Sequence, residues 1–312
     1  MVRMILVICL NPALQRTLWF NKFNHCEVNR ASRRILSAGG KGVNVARIIT
    51  RLGEEATLLT ILGGHTGEII KNCLDQDQIS YHVVSVNNET RNCITILDGK
   101  NHKQTEIVEE GDRIAKSKSD AVVQVFQKLL KKSRFVVISG TALPGFPKTI
   151  YQQFVQLANQ KGVRTLIDAT GELLKNSLRA NPFFVKPNWK EMETLTQKKI
   201  KDTRSMKTAM QTIHKAGAHT VLVTTESSSA YFFHEARFYR IDPPKVKVVN
   251  SIGSGDGVAA GISIGIVRGM SLSESVRLGI ACGTANCKTP VAGVVRSSDV
   301  HAMIPKVQIE PL

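Results

Sequence analysis

Short apolar runs alternate with amphipathic stretches of helical length through the middle and C-terminal parts of the chain. This rhythm restricts the fold more than any other feature. Phe135-Val136-Val137-Ile138 precedes a helical pattern over about 148–160, and Arg164-Thr165-Leu166-Ile167 precedes another from about Glu172. Thr220-Val221-Leu222-Val223 follows a helix predicted over 203–215. Strands separated by such helices imply βαβ units and a mostly parallel sheet covered on both faces, a three-layer α/β/α arrangement. Ligands on these sheets bind outside the carboxyl ends of the strands. The opening run Met4-Ile5-Leu6-Val7-Ile8-Cys9-Leu10 is short, is stopped by Asn11-Pro12 and lacks a small-x-small cleavage site, so it reads as a first buried strand and not as a signal segment.

Two regions break the rhythm. Residues from about 12 to 36 and from about 81 to 109 alternate polar and apolar side chains at period two, as in Tyr81-His82-Val83-Val84-Ser85-Val86 and Arg91-Asn92-Cys93-Ile94-Thr95-Ile96-Leu97. They predict antiparallel strands, with Asp98-Gly99 as a turn. Together they form a small discontinuous lid on a single domain spanning 1–312.

Composition narrows the function classes. With 312 residues and 42% hydrophobic content the chain can build one large core, and no apolar run approaches the ~20 residues of a spanning helix. The six cysteines form no CxxC pair and no zinc spacing with histidine, so free thiols in a reducing cytoplasm are expected. The net charge of +17 is spread over separate clusters: Arg30, Arg33 and Arg34; Lys128, Lys131 and Lys132; Lys198, Lys199 and Lys201. Aromatic residues are only 5%, and none interleave with these clusters. The charge therefore suits small anionic substrates better than nucleic acid.

Asn250-Ser251-Ile252-Gly253-Ser254-Gly255-Asp256-Gly257 lies between a β-rich run at 245–249 and a helix predicted over about 255–268. Small residues at a helix start let backbone N–H groups approach an anion, and the helix dipole adds to the attraction. An aspartate there repels the anion, which makes sense if Asp256 acts on a hydroxyl that attacks a phosphoryl group held by the cradle. The plainer alternative is a Gly-rich helix start with a first-turn acid. Gly255-x-Gly257-x-x-Ala260 fits a relaxed dinucleotide fingerprint but lacks the acid on a following strand, and Gly39-Gly40-Lys41-Gly42 is followed by Val43, so neither rival phosphate loop is complete. Ala38-Gly39-Gly40-Lys41-Gly42-Val43-Asn44 is a second glycine-rich helix start, where Lys41 supplies a point charge and Asn44 can bond a hydroxyl.

The pair AGGKGVN (38–44) and NSIGSGD (250–256) resembles the two signatures of the phosphofructokinase B group of ribokinase-like sugar kinases. Further motifs agree in order over nearly the whole chain: Leu10-Asn11-Pro12-Ala13, Val28-Asn29-Arg30, Glu89-Thr90-Arg91-Asn92-Cys93, Ile138-Ser139-Gly140, Ile167-Asp168-Ala169-Thr170-Gly171 and Val185-Lys186-Pro187-Asn188-Trp189-Lys190-Glu191. The resemblance implies a ribokinase-like fold and transfer of phosphoryl from ATP, with Mg²⁺, to a ketohexose phosphate. Fructose 1-phosphate is the first expectation, with tagatose 6-phosphate and fructose 6-phosphate behind it. A weakly catalytic sugar-phosphate sensor, or a nucleic-acid binder using the +17 charge, is the alternative of a different class.

By the same resemblance, Asp256 is the base, with an anion hole at Gly253, Ser254 and Gly255. Lys41, Asn44, Arg91, Gly39, Gly40, Gln15 and Arg30 meet the sugar phosphate. Lys186, Asn188, Thr224, Gly283 and Asn286 border the nucleotide, and Asn188 with Glu191 stands near Mg²⁺. Read without the resemblance, Asn188 and Glu191 are equally a helix cap with its first-turn acid. The resemblance also allows a homodimer joined through the lid. Three residues depart from the family pattern: Gln15 replaces an aspartate, and Glu226 and Ser229 replace glycines after the strand that ends near Thr224.

Overall fold

The computed structural model describes residues 4–101, 103–225 and 229–312. In β1 (Met4–Leu10), Ile5, Val7 and Cys9 face one hydrophobic cluster while Leu6, Ile8 and Leu10 face another. A strand buried on both faces reads as the continuous apolar run seen in the sequence. The remaining strands are β2 (Ala13–Phe20), β3 (Arg33–Gly39), β4 (Ala56–Gly63), β5 (Ser80–Val86), β6 (Asn92–Asp98), β7 (Lys103–Val108), β8 (Ser133–Ala142), β9 (Arg164–Asp168), β10 (Phe184–Val185), β11 (Thr220–Val223), β12 (Ala230–His234), β13 (Arg237–Asp242) and β14 (Gln308–Pro311).

Ten strands form one sheet in the order β14-β13-β12-β11-β10-β9-β8-β1-β4-β5. Its pairs from β11 to β5 are parallel, and the β11–β14 end is antiparallel. The chain leaves β1 toward β4 and β5 on one side and later adds β8 to β11 on the other. That reversal opens a crevice at the carboxyl ends of β1 and β8. Among the described residues ten α-helices cover the sheet, and helices on both faces make the three-layer α/β/α arrangement that the sequence predicts. The helices Lys41–Arg51, Gly64–Gln76, Ser254–Val267, Leu272–Asn286 and Ser297–Met303 pack on the face holding Ile5 and Val7. The helices Lys116–Leu130, Ile150–Gln160, Gly171–Leu178, Trp189–Thr196 and Thr203–Lys215 pack on the other.

A second sheet, in the order β3-β2-β6-β7, has antiparallel outer pairs and a parallel β2–β6 pair at its centre. Two local expectations fail. Tyr81–Val86 is not in the small sheet: β5 pairs parallel with β4 at the edge of the large one. An edge strand is buried on one side only, so its alternation imitates a lid strand. Residues 245–249 form no strand, and Val248 and Val249 are 59% and 48% exposed. Their β-branched side chains have no partner strand to pack against.

The Ser254–Val267 and Leu272–Asn286 helices approach backbone to backbone. A Cβ on Gly261 would stand 2.7 Å from Gly279 Cα, and one on Gly257 3.0 Å from Gly283 Cα. Gly283 is thus a packing contact that fixes the start of the Ser254 helix. Gly261→Ala overpacks this seam at a cost of about 1–3 kcal/mol, so a melting curve should show a Tm several degrees lower. An unchanged Tm would mean the two helices separate without cost.

Candidate active site

Gly40 ends β3's loop at φ 112°, a conformation other residues rarely adopt, and a Cβ there would lie 2.9 Å from Cys9 Sγ. A Cβ on Gly39 would meet Gln15 Cβ at 2.9 Å. The first approach seats the Lys41–Arg51 helix start against the end of β1, and the second holds Gly39 against β2 of the small sheet. From there Lys41 Nζ reaches Asp168 Oδ1 at 3.5 Å and Glu191 Oε1 at 3.8 Å. Asp168, at the end of β9, is 1% exposed, and its Oδ2 pairs with Lys186 Nζ at 3.0 Å. Burial opposes ionisation of Asp168, but Lys186 and Lys41 together hold its carboxyl below the usual range. The Asp168 charge in turn keeps Lys41 firmly protonated.

Asp256 opens the Ser254–Val267 helix and is 4% exposed. Asn44 Nδ2 donates to its Oδ2 at 2.8 Å. Burial and then the Asp168 charge push its carboxyl up to about 6, against the pull of Lys41, Asn44 and Lys186. A buried carboxylate that ionises near neutral pH, with one oxygen engaged, is suited to accept a proton.

The glycine-rich loop beside it has Gly253 at φ 81° as N-cap. The first N–H groups of a helix have no acceptor within it, which leaves those of Gly255 and Asp256 available to an anion. Ser254 is different: its N–H turns back to Ser251 O at 3.2 Å, so it is a poorer member of an anion hole than its neighbours. A Cβ built on Gly255 would stand 3.2 Å from Lys186 Nζ. The Lys186 ammonium therefore sits over the cradle, and a side chain at Gly255 would crowd it.

The other expected residues divide. Asn188 and Glu191 form a capping box, with Glu191 N to Asn188 Oδ1 and Asn188 N to Glu191 Oε2 both at 2.8 Å. Glu191 Oε1 is left facing Lys41. Thr224 bridges to Asn188 at the end of β11 and accepts from Trp189 N at 3.0 Å. Arg91 donates to Asn11 O at 3.1 Å and Glu109 O at 3.0 Å, and its buried Nε has no partner. Gln15 spans the small sheet, donating to Thr95 Oγ1 at 2.9 Å.

Asn286 is fully buried, and both ends of its amide are engaged, on Ile252 O at 2.7 Å and Gly293 N at 2.8 Å. It shapes the cradle loop and has no free group for a nucleotide. Arg30 is exposed on the segment between β2 and β3, without a hydrogen bond or ion pair to the site among the described residues. Of the departures, Ser229 is buried, donating to Asp242 and accepting from Arg240 Nε at 2.9 Å, while Glu226 lies outside the described residues.

Two participants had no role in the sequence reading. Asp168 stood in a recognised motif without a function. Arg47, three residues beyond Asn44 on the same helix, is 1% exposed and donates to Asn44 Oδ1 at 3.0 Å. The i, i+3 spacing from Asn44 was the available signal.

The model of the pfkB family carbohydrate kinases matches residues 8–296. A tagatose-6-phosphate kinase of Staphylococcus epidermidis is 31% identical over 309 residues, covering 98% of this chain and 99% of its own. The phosphofructokinase-2 structure from Escherichia coli in complex with potassium is 26% identical, covers 98% of this chain and 99% of that one, and has a TM-score of 0.90. An Arabidopsis thaliana ribokinase complexed with ribose and ATP, 20% identical with a TM-score of 0.77 over 97% of this chain and 99% of that one, shares the fold.

Proposed function

This chain belongs to the pfkB family of carbohydrate kinases, and we propose that it phosphorylates a ketohexose phosphate to a hexose 1,6-bisphosphate with ATP. The observation that carries this reading is Asp256, a buried carboxylate ionising near pH 6 between Asn44 and a helix-start cradle under Lys186. The sugar hydroxyl gives its proton to the free oxygen of Asp256 as its oxygen bonds to the γ-phosphorus. The bond from that phosphorus to the β–γ bridging oxygen breaks, and ADP leaves. Donors at Gly253, Gly255 and Asp256, with Lys186 and a weaker part for Ser254, stabilise charge on the transferred group. Lys41 and Arg91 receive the phosphate that the sugar already carries, beside Gly39, Gly40 and Gln15, with Arg30 a more distant contributor. Asn188 and Thr224 flank the nucleotide.

Among the described residues no cluster of three or more metal-ligating side chains exists. Glu191 Oε1 and Asp168 Oδ1, which both face Lys41 Nζ, fit a Mg²⁺ carried in with the triphosphate, since that ion is commonly held by one or two carboxylates plus phosphate oxygens. When bound, it neutralises charge on the phosphates. Lys186 and Lys41 balance the two carboxylates in its absence.

Fructose 1-phosphate is the first acceptor to test; the name of the S. epidermidis relative supports tagatose 6-phosphate as a second, and the E. coli structure in complex with fructose-6-phosphate supports that sugar as a third. A coupled assay of ADP release over a panel of sugar phosphates tests the reading. Turnover only with unphosphorylated sugars would overturn it, and binding without turnover would favour the sensor.

Arg91→Ala should raise KM for the sugar phosphate about 10–100-fold, since a hydrogen bond to a charged group contributes about 1.5–3 kcal/mol. KM for ATP should barely move. Equal effects on both substrates would remove Arg91 from the sugar side.

The lid is proposed to join two copies of the chain. Its sheet exposes Leu36, Ile107 and Val108 at 46%, 50% and 54%. Light scattering should give the mass of a dimer, and a monomer at micromolar concentration would exclude this arrangement. No described helix is long and apolar enough to cross a membrane. The six free cysteines support a cytoplasmic location. Nucleic acid is not expected as a partner, and retention on DNA at physiological salt would reverse that.

A further inference from the structure

Arg47 is the most deeply buried cation among the described residues outside the phosphate-handling groups, and all three of its guanidinium nitrogens donate. Nε donates to Asp77 Oδ2 at 2.7 Å, and one terminal nitrogen donates to Ala38 O at 2.6 Å. The other donates to Asn44 Oδ1 at 3.0 Å and Ala292 O at 3.3 Å. A guanidinium can only donate. The end of the Asn44 amide that faces it must therefore be the oxygen, and the end that faces Asp256 must be the NH₂. We propose that Arg47 is a positioning residue that sets the polarity of the Asn44 amide, so that Asp256 always meets a donor on Oδ2 and keeps its other oxygen for the substrate hydroxyl. This rests on the reading of Asp256 as the base.

The surroundings leave no substitute for this role. Asp256 is faced by Asp168 at the end of β9, by Lys41 and Asn44 on the Lys41–Arg51 helix, and by Lys186 after β10. Arg47 is faced by Asp77 and by Cys73 from the Gly64–Gln76 helix and its end, and Arg51 shares Asp77 at 3.3 Å. None of the groups around Arg47 could replace it as a donor to Asn44 Oδ1 except Arg51, whose side chain is 41% exposed and turned to Asp77. Gly293 closes the remaining side, because a Cβ on it would lie 2.8 Å from Asn44 Oδ1. Without Arg47 the amide is free to turn and present its oxygen to Asp256. Two acceptors would then meet, which favours a protonated carboxyl and removes the base at neutral pH.

The test is the pH profile of kcat for Arg47→Met and Arg47→Lys, measured with Asp256→Asn in parallel. Arg47→Met should move the acid limb upward by about one pH unit, equivalent to the loss of a weak charged hydrogen bond, and lower kcat about threefold at pH 6.5 and about tenfold at pH 5. Arg47→Lys still only donates, so its acid limb should stay with the wild type even if Tm and kcat fall. If Arg47→Met does not fold, Arg47→Gln replaces it: Gln can accept as well as donate, so an upward shift again supports the proposal. A folded Met or Gln variant with an unmoved limb and only a lower Tm overturns it. Near wild-type turnover in Asp256→Asn would instead sink the base assignment, a failure distinct from that of the Arg47 role.

Discussion

Asp256→Asn lowers kcat by roughly 10²–10⁴-fold and leaves the fold and ATP binding in place. The amide is nearly isosteric and can still face the helix start, but it cannot take a proton. ATP affinity holds or tightens because a negative charge beside the triphosphate is gone. Stability moves the other way from activity. Folding raises the Asp256 pKa to about 6, so the native state binds this proton more tightly than the unfolded chain does. The cost of ionising it is absent below about pH 4, grows as pH rises to about 6, and is complete above that. The variant should therefore melt at or above the wild type at pH 7 to 8, with the advantage shrinking toward pH 4. The wild-type kcat should show an acid limb near pH 6 that belongs to the coupled Asp256, Asp168 and Lys41 cluster. Retained turnover in the variant, or a lower Tm at pH 8, would count against this account.

Particular residues decide how far the sequence could be read. The parallel frame was legible because β1, β8 and β11 are buried on both faces and carry unbroken apolar runs. The Thr203–Lys215 helix has the bounds that its pattern predicts, since Asp202 caps its start and a change to Ala-Gly ends it. Tyr81–Val86 was misread because half-burial at a parallel edge and half-burial in a lid give one and the same alternation. Asp256 was legible as an acid out of place at an anion-binding helix start. Its charge balance was not, because Asp168, Lys186 and Lys41 arrive from three different strand ends, up to 145 positions apart in the chain. Arg47 looks like an ordinary helix cation until Asp77, thirty residues away, is seen beside it. Asn188 and Glu191 kept both meanings: they cap a helix, and the cap leaves one Glu191 oxygen free toward Lys41.

Lys186→Met is expected to damage stability and catalysis together, and the two losses can be separated. Lys186 is 3% exposed and Asp168 1%, so the substitution strands a buried carboxylate without its nearest cation. Breaking a buried pair from one side costs about 3–5 kcal/mol, a fall in Tm on the order of 10 °C. The Asp256 carboxyl also loses a cation that favours its ionised form, so the acid limb of kcat moves upward. Removing the ammonium over Gly255 takes charge stabilisation from the transferred phosphoryl as well, which lowers kcat by about 10²–10³-fold. Adding Asp168→Asn to Lys186→Met removes the stranded charge. The double variant should recover most of the Tm, because a neutral pair replaces an uncompensated ion. It should also draw the acid limb back down, since Asp168 no longer repels the Asp256 carboxylate. Turnover at pH 8, where Asp256 is ionised in every variant, should stay low because the cradle still lacks its ammonium. Recovery of kcat along with Tm would reduce Lys186 to a structural counter-ion, and recovery of neither would mean that Asp168 needs its charge for more than pairing with Lys186.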